Sequence, residues 1–156
     1  MKDTLTSMSD TVIEVIQELI QLNIDSAEGF TAAAEMIDDS SLASAFREYA
    51  SERADNAAEL KSNVAYNGEE PSHSGSTMGT LHRWWLELRG RITSDKEYSV
   101  LTEAERGEDA IKKRYEEALR QTSGSPIHDT LSNQYSGVKT IHDRVRHLRD
   151  ARKNIK

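Results

Sequence analysis

Three glutamates lie close together on a segment with strong helical periodicity, and they are the side chains that first suggest chemistry. The segment reads TEAERGEDAIKKRYEEAL, residues 102–119, and it contains Glu103, Glu105 and Glu108. At 100° per residue, Glu108 lies on the apolar face of this helix, Glu105 on its border and Glu103 off it. A buried carboxylate needs a cation, a metal ion or a proton to offset its desolvation. The spacing therefore predicts that Glu108 meets a partner inside the protein.

The other three long helical segments also bring polar side chains to their apolar faces. On the second segment, Arg53 lies almost at the centre of the apolar stripe, so we interpret Arg53 and Glu108 as a buried, charge-assisted pair. The remaining inward polar residues are candidates for its hydrogen-bond partners. The predicted polar centre consists of Asn23, Arg53, Asn56, Glu108, Gln134 and His142.

The composition indicates one all-α domain over residues 1–156. Hydrophobic residues make up 36% of the chain and prolines number two, while apolar residues recur at steps of three and four. The absence of cysteine excludes a disulfide framework and a cysteine-ligated iron–sulfur cluster. The first ten residues lack the apolar core of a signal peptide, and no apolar run is long enough to span a membrane. We therefore expect a cytoplasmic protein, and the net charge of −7 disfavours nucleic acid as a partner.

Four long helices are expected to position the polar centre. The first runs from about Ser9 to Ile37, the second carries its apolar face from Leu42 to Val64, and the others cover about 95–121 and 126–152. A crossover at 67–94 carries a short amphipathic helix at about 80–93. Tight turns within each pair and one long connection between the pairs predict a ferritin-like antiparallel four-helix bundle.

Two adjacent tryptophans in the crossover are the strongest candidates in the sequence for a protein–protein contact surface. Trp84 and Trp85 point about 100° apart on a helix, so one can pack on the bundle while the other faces outward. An outward tryptophan is suited to a homodimer contact or a partner helix. The other interpretation is that both cover the side of the bundle.

The sequence resembles the ferritin and rubrerythrin superfamily, and more narrowly a bacterial ferritin-like four-helix-bundle family of unknown function. The segments LNIDSAEGFTAAAEMI, GSTMGTLHRWW, ERGEDAIKKRYEEAL and TIHDRV carry this resemblance. The resemblance implies a pattern of metal ligands with which this sequence can be compared. Metal-binding members place a Glu on the first helix and a Glu-x-x-His on the second, and they repeat this arrangement on the third and fourth helices.

The chain departs from that ligand pattern at most positions. Asn23 stands at the first ligand position, and the inward pair on the second helix is Arg53 and Asn56. Glu108, with Glu105 beside it, matches the third helix. His142 matches the last histidine, although Lys139 stands three residues before it. A fixed arginine charge opposes a divalent cation, so we expect no metal at the centre.

We therefore expect a non-enzymatic, stress-associated or binding module that forms a homo-oligomer, such as a dimer, and holds no cofactor. The alternative is an iron- or manganese-binding oxidoreductase or iron-handling protein of the rubrerythrin or ferritin type. Its ligands would be drawn from Glu28, Glu52, Glu105, Glu108 and His142. Glu28 and Glu52 lie about 100° from the centres of their stripes, so they would have to turn inward.

Overall fold

Four long α-helices account for most of the residues that the structure, a computed structural model, describes, namely residues 9–66 and 96–153. Helix α1 spans Asp10–Met36, α2 spans Ser40–Tyr66, α3 spans Lys96–Gln121 and α4 spans His128–Lys153. No strand occurs among these residues, so the predicted all-α four-helix bundle is confirmed. The predicted crossover at 67–94, with its short helix, lies outside the described residues.

Two tight turns fold the chain into two helical hairpins. The Oγ atom of Ser9 accepts a hydrogen bond from the backbone N–H of Val12 at 3.2 Å and caps α1. Oδ1 of Asp39 accepts one from the N–H of Leu42 at 3.0 Å and caps α2. Between α3 and α4, Gly124 has a φ of +82°, the left-handed conformation that favours glycine. The chain reverses direction at each of these turns.

The helices pack as an antiparallel bundle. Helix α1 packs against α2 and α3, and α3 packs against α4. Gln134, early in α4, donates a hydrogen bond to the side chain of Glu59, late in α2. Phe30, late in α1, lies in the same apolar cluster as Val100, early in α3. Neighbouring helices therefore run in opposite directions, and residues from the middles of all four meet in the interior.

A layer of polar side chains divides the apolar core of the described residues into two clusters. In the cluster near the α1–α2 turn, the Phe30 ring packs edge-on against the rings of Phe46 and Tyr49. The distances between ring centroids are 5.2 Å and 5.5 Å, respectively. The other cluster lies near the α3–α4 turn and contains Ile16, Leu19, Ile20, Leu60, Val64, Ile111, Leu131 and Val138. Asn23, Arg53 and Glu108 of the polar layer lie midway along α1, α2 and α3, and Gln134 joins the layer from the early part of α4.

The outward faces of the helices are charged. On α2, for example, Glu52, Asp55 and Glu59 are exposed while Arg53, Ala57 and Leu60 are buried. None of the helices in the described part of the chain combines the length and apolar character needed to cross a membrane.

Candidate functional site

The centre of the bundle is a bidentate salt bridge between α2 and α3. Nη1 of Arg53 donates to Oε2 of Glu108 at 2.8 Å, and Nη2 donates to Oε1 at 2.5 Å. Arg53 is 0% exposed and Glu108 is 2% exposed, so neither charge reaches water. The parallel fork geometry matches the planar guanidinium to the planar carboxylate, which makes this a strong type of ion pair. Both oxygens of Glu108 are thereby occupied.

The rest of the Arg53 guanidinium is held by α1. Nη1 also donates to Oγ of Ser26 at 2.9 Å, and the guanidinium carbon lies 5.7 Å from the centre of the Phe30 ring. A cation over an aromatic face is attracted by the ring quadrupole. Nε is buried and has no hydrogen-bond partner among the described residues. Arg53 therefore links three helices and has no freedom to swing away from Glu108 without losing these contacts.

A second set of hydrogen bonds extends the polar layer from α1 to α4. Nδ2 of Asn23 donates to Oη of Tyr115 at 2.8 Å and to the backbone oxygen of Leu19 at 2.8 Å. Oη of Tyr115 donates in turn to Oε1 of Gln134 at 2.7 Å. Nε2 of Gln134 then donates to Oε1 of Glu59 at 2.7 Å, at the exposed edge of α2. The chain of donors runs from the interior to the surface.

Tyr115 is held as a neutral phenol inside this set. Burial raises the pKa of Tyr115 to about 12, because a phenolate would lose its solvation there. Its oxygen accepts from Asn23 and donates to Gln134, so both roles of a neutral hydroxyl are used. Asn56 is only partly buried, and its Nδ2 donates to Oδ1 of Asn23 at 3.4 Å. These groups use their donors and acceptors in hydrogen bonds with one another, so none of them is available as a general acid or base.

His142 lies apart from this layer, at the seam between α3 and α4. Its Nε2 lies 2.5 Å from Oδ1 of Asp109, and its Nδ1 lies 3.1 Å from Oδ1 of Asp143. The hydrogen bond with His142 lowers the pKa of the Asp143 carboxyl. Glu105, 7% exposed, contacts Arg149 through Oε2, and its Oε1 lies 3.4 Å from Nε of Arg146. One ligand atom from each of Glu105, Asp109 and His142 lies within 4.8 Å of the others.

The structure brings together some of the predicted site residues and separates others. Asn23, Asn56 and Gln134 share one hydrogen-bonded set, and Arg53 pairs with Glu108. His142 is buried but contacts Asp109 and Asp143 instead of these residues. Glu28 and Glu52 are exposed, and Glu105 contacts arginines of α4. Trp84 and Trp85 lie outside the described residues, so the contact surface they suggest stays a prediction.

Sequence reasoning missed four residues that are buried or that contact a buried polar side chain. Tyr115 lies on the apolar stripe of α3 by its helical spacing, and that spacing alone does not show that its hydroxyl connects Asn23 to Gln134. Ser26 lies three residues after Asn23, at a helical spacing that places it beside Arg53. Asp109 can be identified from its distance to the α3–α4 turn, which is similar to that of His142. Asp25 is 2% exposed, and no periodicity argument indicates why α1 buries a carboxylate there.

The residues at the centre do not fit a metal ion. A divalent cation between the helices would need carboxylate or imidazole ligands, whereas Arg53 presents a fixed positive charge at that place. It also occupies both oxygens of Glu108. Asn23 and Tyr115 are engaged with each other. The effect of these contacts is to fix the register of the four helices.

Comparison with known proteins gives one family. The profile of a domain of unknown function, DUF2383, matches residues 11–121, which include nearly all of α1 and the whole of α2 and α3. Asn23, Arg53 and Glu108 lie within the matched segment, and Gln134 and His142 lie beyond it. No curated protein matches the chain. The match covers well over half of the sequence, and the chain therefore belongs to the DUF2383 family.

Proposed function

We propose that this protein is a ferritin-like bundle that works as a non-enzymatic structural or binding module, with a salt bridge where metal-binding relatives hold a di-metal centre. The observation that carries the proposal is the bidentate contact between Arg53 and Glu108 in the middle of the four helices. In the ferritin-like arrangement, carboxylates and histidines project from all four helices into this region. In this protein the guanidinium of Arg53 supplies the positive charge that a metal ion would otherwise supply.

The contacts of the two charges support a structural role. A buried ion pair contributes to stability when its remaining hydrogen-bonding groups are also satisfied. Ser26 and Phe30 engage the guanidinium, and both carboxylate oxygens of Glu108 accept hydrogen bonds from it, so that Nε is the one guanidinium nitrogen without a partner among the described residues. Because the pair joins the diagonal elements α2 and α3, a slip of either helix would separate it. We infer that the pair selects one helix register over others.

The absence of a free reactive group at this place supports the non-enzymatic part of the proposal. General acid–base work needs a side chain that can exchange a proton near neutral pH. Tyr115, the titratable hydroxyl of the layer, has its pKa raised to about 12 and already bonds to two amides. Glu108 is committed to Arg53 and is 2% exposed. A substrate would have to displace these contacts to reach the centre.

The rival function is an iron- or manganese-handling protein of the ferritin or rubrerythrin type. It would need Glu28 and Glu52 to turn inward, yet both are exposed on the described surface. It would also need Glu108 to leave Arg53, which would strand a buried guanidinium at a cost of about 3–5 kcal/mol. These two requirements favour the metal-free centre.

Metal analysis of protein purified without a histidine tag tests the proposal. The protein is incubated aerobically with Fe²⁺, desalted, and analysed for iron by mass spectrometry beside the Glu108→Gln variant. We expect no iron that depends on Glu108, and no accelerated consumption of oxygen. Stoichiometric iron in the wild-type protein that disappears in Glu108→Gln would contradict the proposal.

A further inference from the structure

The seam between α3 and α4 carries a cluster of metal-binding side chains away from the bundle centre. Glu105 and Asp109 are one helical turn apart on α3, so their carboxylates lie on the same face. His142 faces them from α4, with its Nε2 2.5 Å from Oδ1 of Asp109. One nitrogen or oxygen atom from each of the three lies within 4.8 Å of the other two. His142 is 2% exposed and Glu105 is 7% exposed, so the inner half of the cluster is screened from water.

Both ring nitrogens of His142 face carboxylates, which indicates a positive charge at one of them. Nε2 faces Asp109 and Nδ1 faces Asp143, so a carboxylate lies at each nitrogen. A neutral imidazole carries only one N–H, and the other nitrogen presents a lone pair that a carboxylate oxygen repels. One of the two contacts therefore needs a positive charge between its atoms, either a second proton or a metal ion.

The contact with Asp143 has the form that supports a metal ligand. Histidines that ligate a metal through one ring nitrogen commonly donate the other N–H to a carboxylate, which sets the tautomer and the ring orientation. Asp143 is placed to accept that bond from Nδ1 of His142 at 3.1 Å. The lone pair of Nε2 is then directed towards Asp109 and Glu105. We propose that Glu105, Asp109 and His142 bind a divalent transition-metal ion at this seam.

The donor set indicates the class of ion. One imidazole nitrogen and two carboxylate oxygens suit Zn²⁺ and similar divalent transition metals better than Mg²⁺ or Ca²⁺, which prefer oxygen alone. Ligand bonds of about 2.0–2.2 Å require ligand atoms about 3–3.5 Å apart, so Asp109 must move back slightly from Nε2. Its side chain is 58% exposed and can do so. Water would complete the coordination on this open side.

Two arginines of α4 reduce the expected affinity of this site for a metal ion. Arg149 contacts Oε2 of Glu105, and Nε of Arg146 lies 3.4 Å from Oε1. A carboxylate has enough lone pairs to accept from arginine and ligate a metal together, but the nearby positive charges weaken the attraction for the ion. Arg146 is 48% exposed on its side chain, so solvent screens its charge in part. The expected affinity is therefore moderate, and replacing Arg149 with methionine should increase it.

This site goes beyond the proposed function and shares no ligand with the central salt bridge. Arg53, Glu108 and Tyr115 keep their contacts whether or not the seam is occupied. A metal at the seam would join α3 to α4 in the manner of a structural clip. The two proposals can therefore fail separately.

Titration of tag-free protein with Zn²⁺ by calorimetry, with excess Mg²⁺ present, tests the inference. We expect one Zn²⁺ per chain and a rise in melting temperature on binding. Asp109→Asn changes an exposed residue, so it should fold normally and lose at least about a hundredfold in affinity, as should His142→Gln. Asp143→Asn should reduce affinity by about 10–100-fold, because it removes only the orienting carboxylate.

His147→Gln is the matched control, since His147 is an exposed histidine of the same helix outside the cluster. It should bind Zn²⁺ like the wild-type protein, and so should Glu108→Gln. Absence of Zn²⁺ binding, or equal binding by wild type and Asp109→Asn, would overturn the seam site and leave the metal-free centre unaffected. Binding that survives in Asp109→Asn but disappears in Glu108→Gln would instead contradict both proposals.

Discussion

Replacing Arg53 with methionine should remove a large part of the stability of the fold. Methionine keeps most of the apolar stem of the side chain but removes the guanidinium, so Glu108 is left buried without its cation. Removing one partner of a buried ion pair costs about 3–5 kcal/mol in the free energy of unfolding. The bond to Ser26 and the contact with the Phe30 ring are lost as well, which favours the upper part of that range.

Urea unfolding followed by circular dichroism at 25 °C and pH 7 measures this change. For a protein of this size, about 3–5 kcal/mol corresponds to a fall in melting temperature of roughly 6–20 °C. Arg114→Met is the matched control, because Arg114 contacts Glu18 and Glu117 at the surface with 42% of its side chain exposed. That substitution should cost less than about 1 kcal/mol.

The double variant Arg53→Met with Glu108→Met completes a thermodynamic cycle. Because it removes both charges and fills the space with apolar groups, it should recover most of the stability lost in either single variant. The coupling free energy should therefore reach about 3 kcal/mol or more. A loss below about 1 kcal/mol in Arg53→Met, or additive effects in the double variant, would show that the two charges do not depend on each other.

Three further substitutions test other contacts of the bundle. Tyr115→Phe leaves the amides of Asn23 and Gln134 without their shared partner and should cost about 1–3 kcal/mol in urea unfolding. Because burial raises the pKa of Tyr115 from 10.0 to about 12, its contribution to stability is present below pH 10 and is lost as the pH rises towards 12. The wild-type protein should therefore lose on the order of 1 kcal/mol more than Tyr115→Phe between pH 10 and 11, and equal losses would refute this. Gly137→Ala should stabilise α4 by roughly 0.5–1 kcal/mol, because the nearest atoms to the new Cβ belong to the carboxylate of the exposed Glu52, with Oε1 at 3.1 Å, and that side chain can move. Gly124→Ala should instead destabilise by about 1 kcal/mol, since Gly124 has a positive φ, and the two melting temperatures should move in opposite directions.

The helices and the central pair could be predicted from the sequence because both follow from periodicity. Arg53 lies at the middle of an apolar stripe, and a charge in that position must meet an opposite charge or destabilise the fold. Glu108 was the inward carboxylate with the best orientation to meet it. Rotation about each helix axis therefore predicts a buried, charge-assisted pair, and the structure adds that the contact is bidentate.

The distance of a residue from the turn of a helical hairpin determines which residue of the other helix it can contact. His142 was assigned to the central layer because it faces inward, but its ring nitrogens contact Asp109 and Asp143 at the seam between α3 and α4. In an antiparallel hairpin, residues equally distant from the turn lie opposite each other. Asp109 is about as far from the turn at Gly124 as His142 is, and this relation identifies their contact. The same relation pairs Tyr115 with Gln134.

Side-chain direction at the border of a stripe could not be predicted by either argument. Glu105 and Glu28 both lie at the edge of an apolar face, yet Glu105 is buried and Glu28 is exposed. The difference comes from the neighbouring helix, because α4 presents Arg146 and Arg149 to Glu105. Whether a border carboxylate turns inward depends on cations that are far away in the sequence.

An anomalous-scattering map of crystals grown from tag-free protein and soaked in Mn²⁺ tests the metal-free centre most directly. The proposal predicts no anomalous peak within coordination distance of Glu108, with Arg53 still bidentate on its carboxylate. A peak bound by Glu105, Asp109 and His142 would agree with the seam site and leave this result unchanged. A peak bound by Glu108, with Arg53 displaced from it, would contradict the central claim.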